Sequence, residues 1–138
     1  MVEKTVIQEK IGHIEQNLRK LEILAGLSKE TFFHEFFYVE SAKHLLQVSI
    51  EAMLDISQHI IARERFRAPK TYADAFIILI DEGILPEEKR ETFIEMAKFR
   101  NRVVHLYHEV DENELYRILQ EGIADFREFI KYIINRYF

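Results

Sequence analysis

The spacing of apolar residues is the feature that most constrains the fold of this chain. Between residue 2 and about residue 25 they recur in steps of three and four, which places them in one stripe along a helix: Ile7, Ile11, Ile14, Leu18, Leu21 and Leu24. The same spacing returns between Leu115 and Ile133. No segment alternates convincingly with period two, as a half-buried strand does. The pattern predicts an all-α chain.

Glycine and proline occur only 4 times and 2 times, and they divide the helical pattern. Gly26 follows the first helix, where a C-terminal glycine is common. Ser28 is a typical N-cap for a second, much longer helix that reaches about Arg65. Thr71 then caps a short helix from Tyr72 to about Asp81, which Gly83 closes.

The N-termini of two further helices complete the prediction. Pro86, followed by two glutamates, is typical of the first turn of a fourth helix, which runs towards His105. Asp111 and Glu114 have the spacing of a capping box at the start of the last helix. The sequence therefore predicts a bundle of four longer helices plus one short helix. At 138 residues, we expect a single domain over 1–138.

Composition excludes several classes of protein. With 48% hydrophobic and 31% charged residues, the chain has a globular rather than a disordered composition. The absence of cysteine excludes a disulfide framework, a zinc ribbon and a cysteine nucleophile. No apolar stretch has the length of a membrane span, and no signal peptide is evident, so we expect a cytoplasmic protein without a membrane partner. The net charge of −5 leaves room for a local basic site.

Metal and phosphate-loop motifs are missing from the sequence. A carboxylate-bridged dimetal site in a helical bundle needs Glu-x-x-His pairs, and none of the 6 histidines has a carboxylate three residues before it. No glycine-rich phosphate loop occurs either. We therefore expect no metal site and no cofactor.

A row of polar residues lies within the apolar middle of the long helix. Glu51, Asp55 and His59 are spaced i, i+4 and i+8 and share one face. One interpretation is a polar network that fixes the register of the helix, or simply its solvent edge. The other is a set of residues that orients a nearby catalytic or RNA-binding group.

Basic residues concentrate in two segments of this acidic protein. If the two segments meet in the bundle, seven cations form one pocket that suits a phosphate backbone. The alternative is that they complement helix C-termini. The first segment contains Lys98, Arg100 and Arg102, together with His105, Tyr107 and His108, and the second contains Arg63, Arg65, Arg67 and Lys70.

Arginine and histidine without metal ligands suit phosphodiester transfer. A histidine can accept the proton of a ribose 2′-hydroxyl or return one to the leaving oxygen. An arginine stabilises the charge that builds on the phosphoryl oxygens. On a regular helix, however, Arg100 and His105 lie about 140° apart. They can act together only if the helix ends or distorts, if the long side chain bends round, or if two chains share the site.

The segment around Arg100 resembles a known family, the HEPN-domain toxins called HepT, which are paired with minimal nucleotidyltransferase antitoxins. The motif of that family is Arg, a polar residue, three more residues and then His-x-Tyr, and Arg100 to Tyr107 match it without departure. The resemblance covers nearly the whole chain. It extends to Ile50–Ile61, to Pro69–Tyr72, to Leu79 with Gly83 and Ile84, and to Met96 with Phe99.

The resemblance implies a homodimeric, metal-independent endoribonuclease with its active site between the protomers. It implies cleavage by 2′-hydroxyl attack that leaves a cyclic phosphate. By motif position Arg100 and His105 are catalytic, Asn101 and Tyr107 support them, and Tyr107 is the residue to which the partner nucleotidyltransferase attaches AMP. No motif position assigns a role to Arg102 or His108. Four cations remain predicted RNA contacts from charge alone: Arg65, Arg67, Lys98 and Arg102.

Two other functions remain open. The chain is a non-catalytic HEPN subunit if it binds RNA or a nucleotide without turnover, and His105→Ala separates this hypothesis from the first. An interaction bundle is the third hypothesis, and its support is an aromatic cluster that is either core or dimer contact: Phe32, Phe33, Phe36, Phe37 and Tyr38.

Overall fold

The computed structural model describes residues 1–138 as seven α-helices and two short 3-10 turns, with no strand. The all-α prediction is confirmed. In chain order the helices are α1 (Lys4–Ala25), α2 (Lys29–His34), α3 (Phe36–Glu64), α4 (Tyr72–Asp81), α5 (Arg90–His105), α6 (Glu112–Glu121) and α7 (Ile123–Tyr137). The 3-10 turns are Glu87–Lys89 before α5 and Tyr107–Glu109 after it.

The predicted long helix is interrupted at Glu35. This residue is extended, with φ −108° and ψ 115°, and it separates the one and a half turns of α2 from α3. The break allows Phe32 to be fully buried against Phe33 and Tyr116. Ser28 does act as the predicted N-cap, because its hydroxyl accepts the N–H of Thr31 at 3.1 Å. The prediction of one continuous helix to Arg65 is therefore wrong only at this break.

The predicted last helix is also two helices, which meet at Gly122. A Cβ at this position would lie 2.7 Å from the carbonyl oxygen of Ile118, a distance that real Cβ atoms do not adopt. Glycine therefore permits the tight last turn of α6, in which the N–H of Gly122 donates to the same carbonyl oxygen at 2.6 Å. The prediction of a fourth helix from Pro86 also needs a small correction, since its first turn is 3-10 and the α-helix begins at Arg90.

One hydrophobic core of 36 buried residues receives side chains from all seven helices. Long α3 is central, because it packs against α1, α2, α4, α5 and α6. A triangle of phenylalanine rings from α4, α5 and α7, with centroids 5.8 to 6.0 Å apart, joins the other side of the bundle: Phe76, Phe93 and Phe129. The packing of α3 against α5 brings two distant segments of the sequence together. No helix of the chain has the length and apolar character that crossing a membrane requires.

Candidate functional site

The site is built where α5 packs on α3 and on the start of α4. Arg100 lies in the penultimate turn of α5, and its side chain is only 13% exposed. Its Nε and Nη2 donate to the same carboxylate oxygen of Glu51 on α3, at 3.0 and 2.8 Å. On another side, its guanidinium carbon lies 4.6 Å from the centre of the Tyr72 ring. The guanidinium is thus fixed by an ion pair and by ring stacking.

Asn101 supports the same guanidinium. Its Oδ1 accepts a hydrogen bond from Arg100 Nη1 at 3.2 Å. Three of the five N–H groups of Arg100 are therefore used by protein acceptors, and two are left to bind a ligand. An arginine held in this way presents its charge in a fixed direction, which is what the stabilisation of a phosphoryl group requires.

His105 is the last residue of α5, and it is exposed. The helix ends because Leu106 leaves the helical region, with φ −131° and ψ 44°. No hydrogen bond joins His105 to Arg100 within the chain. The helix end thus follows His105 rather than falling between the two residues, and it does not turn their side chains towards each other.

Tyr107 begins the 3-10 turn that follows α5, and it is half-buried. Lys43 of α3 lies against it, with Nζ 4.3 Å from the ring centre and 3.4 Å from the backbone oxygen of Tyr107. The rings of Tyr107 and His108 are also perpendicular to each other, with their centroids 5.7 Å apart. Both ends of the motif therefore rest on α3, Arg100 on Glu51 and Tyr107 on Lys43.

The polar row Glu51, Asp55 and His59 on α3 contacts two different parts of the chain, α5 and the N-terminal region with α1. Glu51 faces α5, as the functional interpretation of that row requires. Asp55 instead pairs with Lys10 of α1 at 3.0 Å, and His59 Nε2 accepts the backbone N–H of Glu3 at 3.0 Å. Burial is the main cause that lowers the pKa of His59, and Arg63 adds to it. Asp55 and His59 therefore fix the packing of α3 on α1.

The polar residues of α3 that face the Arg100–Tyr107 motif extend from Glu51 towards the N-terminus of the helix, and not towards Asp55 and His59. Lys43, Gln47 and Glu51 lie on successive turns, and Gln47 Nε2 donates to Glu51 Oε2 at 3.3 Å. Lys43 and Gln47 had not been singled out from the sequence, and Tyr72 had been named only as a helix start and within the matched segment Pro69–Tyr72. One signal was present for Lys43, because it occupies a position within the apolar stripe formed by Val39, Ala42, Leu46 and Ile50.

The predicted basic pocket is not assembled as one cluster. Arg63 pairs with Glu3 at 2.8 Å, and Arg67 makes two hydrogen bonds to Asp74, at 2.7 and 2.8 Å. Arg102 points away from Arg100. It pairs with Glu114 at 2.9 Å and lies beside a groove of about 310 Å³ with an acidic rim that consists of Glu91, Glu95, Glu114, Glu121 and Asp125.

The remaining two predicted RNA contacts are exposed. Arg65 ends α3 in the left-handed region, with φ 60°, and Lys98 lies 3.9 Å from Glu95. Asp111 caps α6 as predicted, because its carboxylate accepts the N–H groups of Asn113 and Glu114. The carboxylate of Glu114 is directed to Arg102 and does not complete the capping box.

Comparison with known proteins gives a consistent set of similarities. The family model described as "Ribonuclease HepT-like" matches residues 14–133. The chain is 26% identical over 128 residues to the "mRNA nuclease HepT" of Shewanella oneidensis, covering 93% of this chain and 96% of that protein. It is 24% identical over 132 residues to the "tRNA nuclease HepT" of Aphanizomenon flos-aquae, covering 96% of this chain and 90% of that protein.

A solved structure agrees with the sequence comparison. It contains the tri-AMPylated HEPN toxin of Shewanella oneidensis in complex with an MNT antitoxin. Its similarity to this chain has a TM-score of 0.89 at 25% identity, and it covers 96% of this chain and 99% of that one.

Proposed function

The chain belongs to the ribonuclease HepT-like family, and from this membership we infer that it is an endoribonuclease and the toxin of a toxin–antitoxin pair. The relatives described as HepT nucleases act on mRNA and on tRNA, so RNA is the substrate class. The single observation that supports a catalytic rather than a structural Arg100 is its fixed and incompletely occupied guanidinium. The two N–H groups without a protein acceptor are the donors that the non-bridging oxygens of a phosphate would accept from.

In the proposed reaction the ribose 2′-hydroxyl oxygen attacks the neighbouring phosphorus. His105 accepts the hydroxyl proton as the new P–O bond forms. The bond from phosphorus to the 5′-oxygen breaks, a proton is given to that oxygen, and the products are a 2′,3′-cyclic phosphate and a 5′-hydroxyl end. The free N–H groups of Arg100 hydrogen-bond the non-bridging oxygens as negative charge builds on them. No step in this sequence needs a metal ion.

We propose that the working site lies between two chains of a homodimer. Within one chain Arg100 and His105 face different directions, and a second chain offers its own pair to the same cleft. A shared cleft then holds one histidine for each of the two proton transfers. An exposed aromatic pair supports association, because Phe36 and Phe37 are 66% and 61% exposed and their ring centroids lie 4.3 Å apart.

Tyr107 is the proposed site of regulation. A nucleotidyltransferase antitoxin attaches AMP to its hydroxyl, with release of pyrophosphate from ATP, and the attached nucleotide occupies the cleft that RNA needs. The related toxin of Shewanella oneidensis is described as tri-AMPylated and in complex with an MNT antitoxin. Arg65 and Lys98, which are exposed, stay proposed as RNA contacts. We place the pair in the cytoplasm, where RNA and ATP are both available.

The direct test is cleavage of labelled RNA in EDTA by the chain expressed without any partner. We expect wild-type protein to cleave and His105→Ala to lose at least about a hundredfold in rate, the order of a general base. His13→Ala is the matched control, because His13 is an exposed histidine on α1. It should cleave as wild type does. A cyclic phosphate at the new 3′ end identifies the 2′-hydroxyl as the nucleophile.

The alternative function is a non-catalytic RNA- or nucleotide-binding subunit of the nucleotidyltransferase complex. It predicts RNA binding without cleavage by an unmodified wild-type dimer, and no difference between wild type and His105→Ala. The absence of an ion pair between His105 and any carboxylate is compatible with both functions, so the cleavage assay decides between them.

A further inference from the structure

Lys43 is the only buried charged residue of the chain, with 6% of its surface exposed. A buried ammonium group is costly unless an anion or several hydrogen-bond acceptors compensate it. No carboxylate lies within ion-pair distance of Lys43. One long hydrogen bond, 3.4 Å to the backbone oxygen of Tyr107, uses one of its three donors.

The hydrogen bond and the cation–π contact of the Lys43 ammonium are both to Tyr107. Besides the hydrogen bond, Nζ lies 4.3 Å from the centre of the Tyr107 ring, within the range of a cation–π contact. The ring offers partial negative charge, but it does not neutralise the ammonium. The hydroxyl at the end of the same ring is the proposed attachment point of AMP.

Arg100, at the other end of the motif, differs from Lys43 because its positive charge is neutralised. Glu51 neutralises Arg100 through two hydrogen bonds, while Lys43, two turns away on the same face of α3, has no counter-ion. Gln47, between them, is already engaged with Glu51. The unbalanced positive charge of the α3–α5 interface is therefore located at Lys43, beside Tyr107.

We propose that Lys43 is an anion-binding residue of this site, and that its ligand is a phosphodiester group located at the Tyr107 hydroxyl. Such a group has two sources, the backbone of bound RNA and the phosphate of AMP attached to Tyr107, and both carry one negative charge there. This inference rests on the proposed function, since it deepens the account of the same cleft. The flexible four-carbon stem of lysine allows the ammonium to follow the phosphate.

Two variants separate charge from packing. Lys43→Met keeps an unbranched side chain of similar length but removes the charge, and Lys43→Arg keeps the charge. Because an unpaired buried charge is costly, Lys43→Met should melt at the same temperature as wild type or higher. A lysine that only supports the fold would instead give a lower melting temperature for Lys43→Met.

The RNA source is tested by binding rather than turnover. Fluorescence anisotropy with a labelled single-stranded RNA oligonucleotide is measured over a series of salt concentrations, on the His105→Ala background so that no cleavage occurs. We expect Lys43→Met to weaken binding roughly tenfold at low salt, the order of one lost charge-assisted contact. The slope of log K against log salt should fall by about 0.7, the value for one phosphate on a single strand. Lys43→Arg should restore both.

The AMP source is tested with the cognate nucleotidyltransferase and α-labelled ATP, on wild-type His105. If AMP is the ligand, Lys43→Met lowers the initial rate of label incorporation at Tyr107 roughly tenfold while RNA binding is unchanged. Tyr107→Phe, which has no hydroxyl, is the blank for incorporation. A change in either arm supports the proposal and identifies the source of the phosphate.

The proposal is overturned if folded Lys43→Met matches wild type in both arms, or if Lys43→Arg behaves as Lys43→Met does. Failure of the proposed ribonuclease function is a different result. It would be seen as intact RNA after incubation with wild-type protein, and it would leave the binding and AMP-transfer measurements valid.

Discussion

Arg100 and Glu51 are 49 positions apart in the chain, yet two N–H groups of the arginine converge on one carboxylate oxygen of the glutamate. The pair joins the end of α5 to the middle of α3. It fixes the direction of the guanidinium, and it also determines which of its N–H groups are left for a ligand.

Replacement of Glu51 should therefore reduce RNA cleavage although the proposed catalytic groups, Arg100 and His105, are still present. We expect Glu51→Ala to lower single-turnover cleavage about tenfold, because an unrestrained Arg100 loses its orientation. Glu51→Gln, which keeps one acceptor oxygen, should lose less. The matched control is Asp55→Asn one turn further on, which removes a partner of Lys10 and should cleave as wild type does. Faster cleavage by Glu51→Ala would instead show that Glu51 restrains Arg100 by competing with the phosphate.

The Arg67–Asp74 ion pair gives the fold a defined acid sensitivity. Hydrogen bonds from Arg67 lower the pKa of Asp74 to about 2, with a smaller contribution from the backbone N–H of Lys70 and against the opposing effect of burial. The folded pKa is below the unfolded value of 3.8, so the stabilisation is complete above about pH 4 and is lost as the pH falls through about 2. Asp74→Asn should be less stable than wild type at pH 7.

Urea unfolding at pH 7 and at about pH 2 measures this effect. The difference between wild type and Asp74→Asn should narrow at the lower pH. Glu40→Gln, at an exposed position of α3 without an ion pair, is the control. A difference between wild type and Asp74→Asn that stays constant with pH would contradict the assigned role of the carboxylate charge.

Alanine substitutions at two glycines should change the stability of the fold in opposite directions. At Gly122 a Cβ would meet the Ile118 carbonyl oxygen at 2.7 Å, so Gly122→Ala should destabilise the chain by about 1–3 kcal/mol, the range for overpacking. Gly12 lies inside α1 with nothing within 4 Å of a Cβ, and Gly12→Ala should stabilise by about 0.5–1 kcal/mol. Thermal unfolding of both variants measures the two changes. Equal effects would show that the α6–α7 junction tolerates a side chain.

The exposed phenylalanine pair predicts a change of oligomeric state. Phe36→Ser with Phe37→Ser should shift the protein from about twice the chain mass towards 16.6 kDa in gel filtration with light scattering. RNA cleavage should fall as well, because in the proposed dimer the two chains share the cleft. Ile23→Ser, which removes a side chain that is 72% exposed on α1, is the control for lost surface hydrophobicity. A doubly substituted protein that stays dimeric would place the interface elsewhere.

Much of the fold was predictable because its signals are local. Apolar spacing, Gly26, the Ser28 and Thr71 caps and Asp111 all act within one or two helical turns, and the structure has helix ends at these positions. The break at Glu35 was not predictable in this way. It carries no glycine or proline, and it forms because tertiary packing buries Phe32. Gly122 does mark the boundary between α6 and α7, but the regular apolar spacing on both sides of it predicted one continuous helix.

Only the part of the site that is local in sequence was predictable. The motif from Arg100 to Tyr107 is local in sequence, but its partners are on other helices. Glu51 was singled out for its spacing with Asp55 and His59, while its actual neighbour in the site is Gln47. Tyr72 belongs to the matched segment Pro69–Tyr72, but nothing in the sequence indicated its contact with Arg100, which depends on how α4 packs against α5.

The order of the site residues along the chain has a consequence for synthesis. A ribosome adds Lys43 and Glu51 to the chain long before Arg100, His105 and Tyr107. A nascent chain that ends before α5 therefore contains Lys43 and Glu51 but none of the proposed catalytic groups. The proposed site becomes complete only when α5 docks on α3, so we expect a translation product that ends before α5 to cleave no RNA.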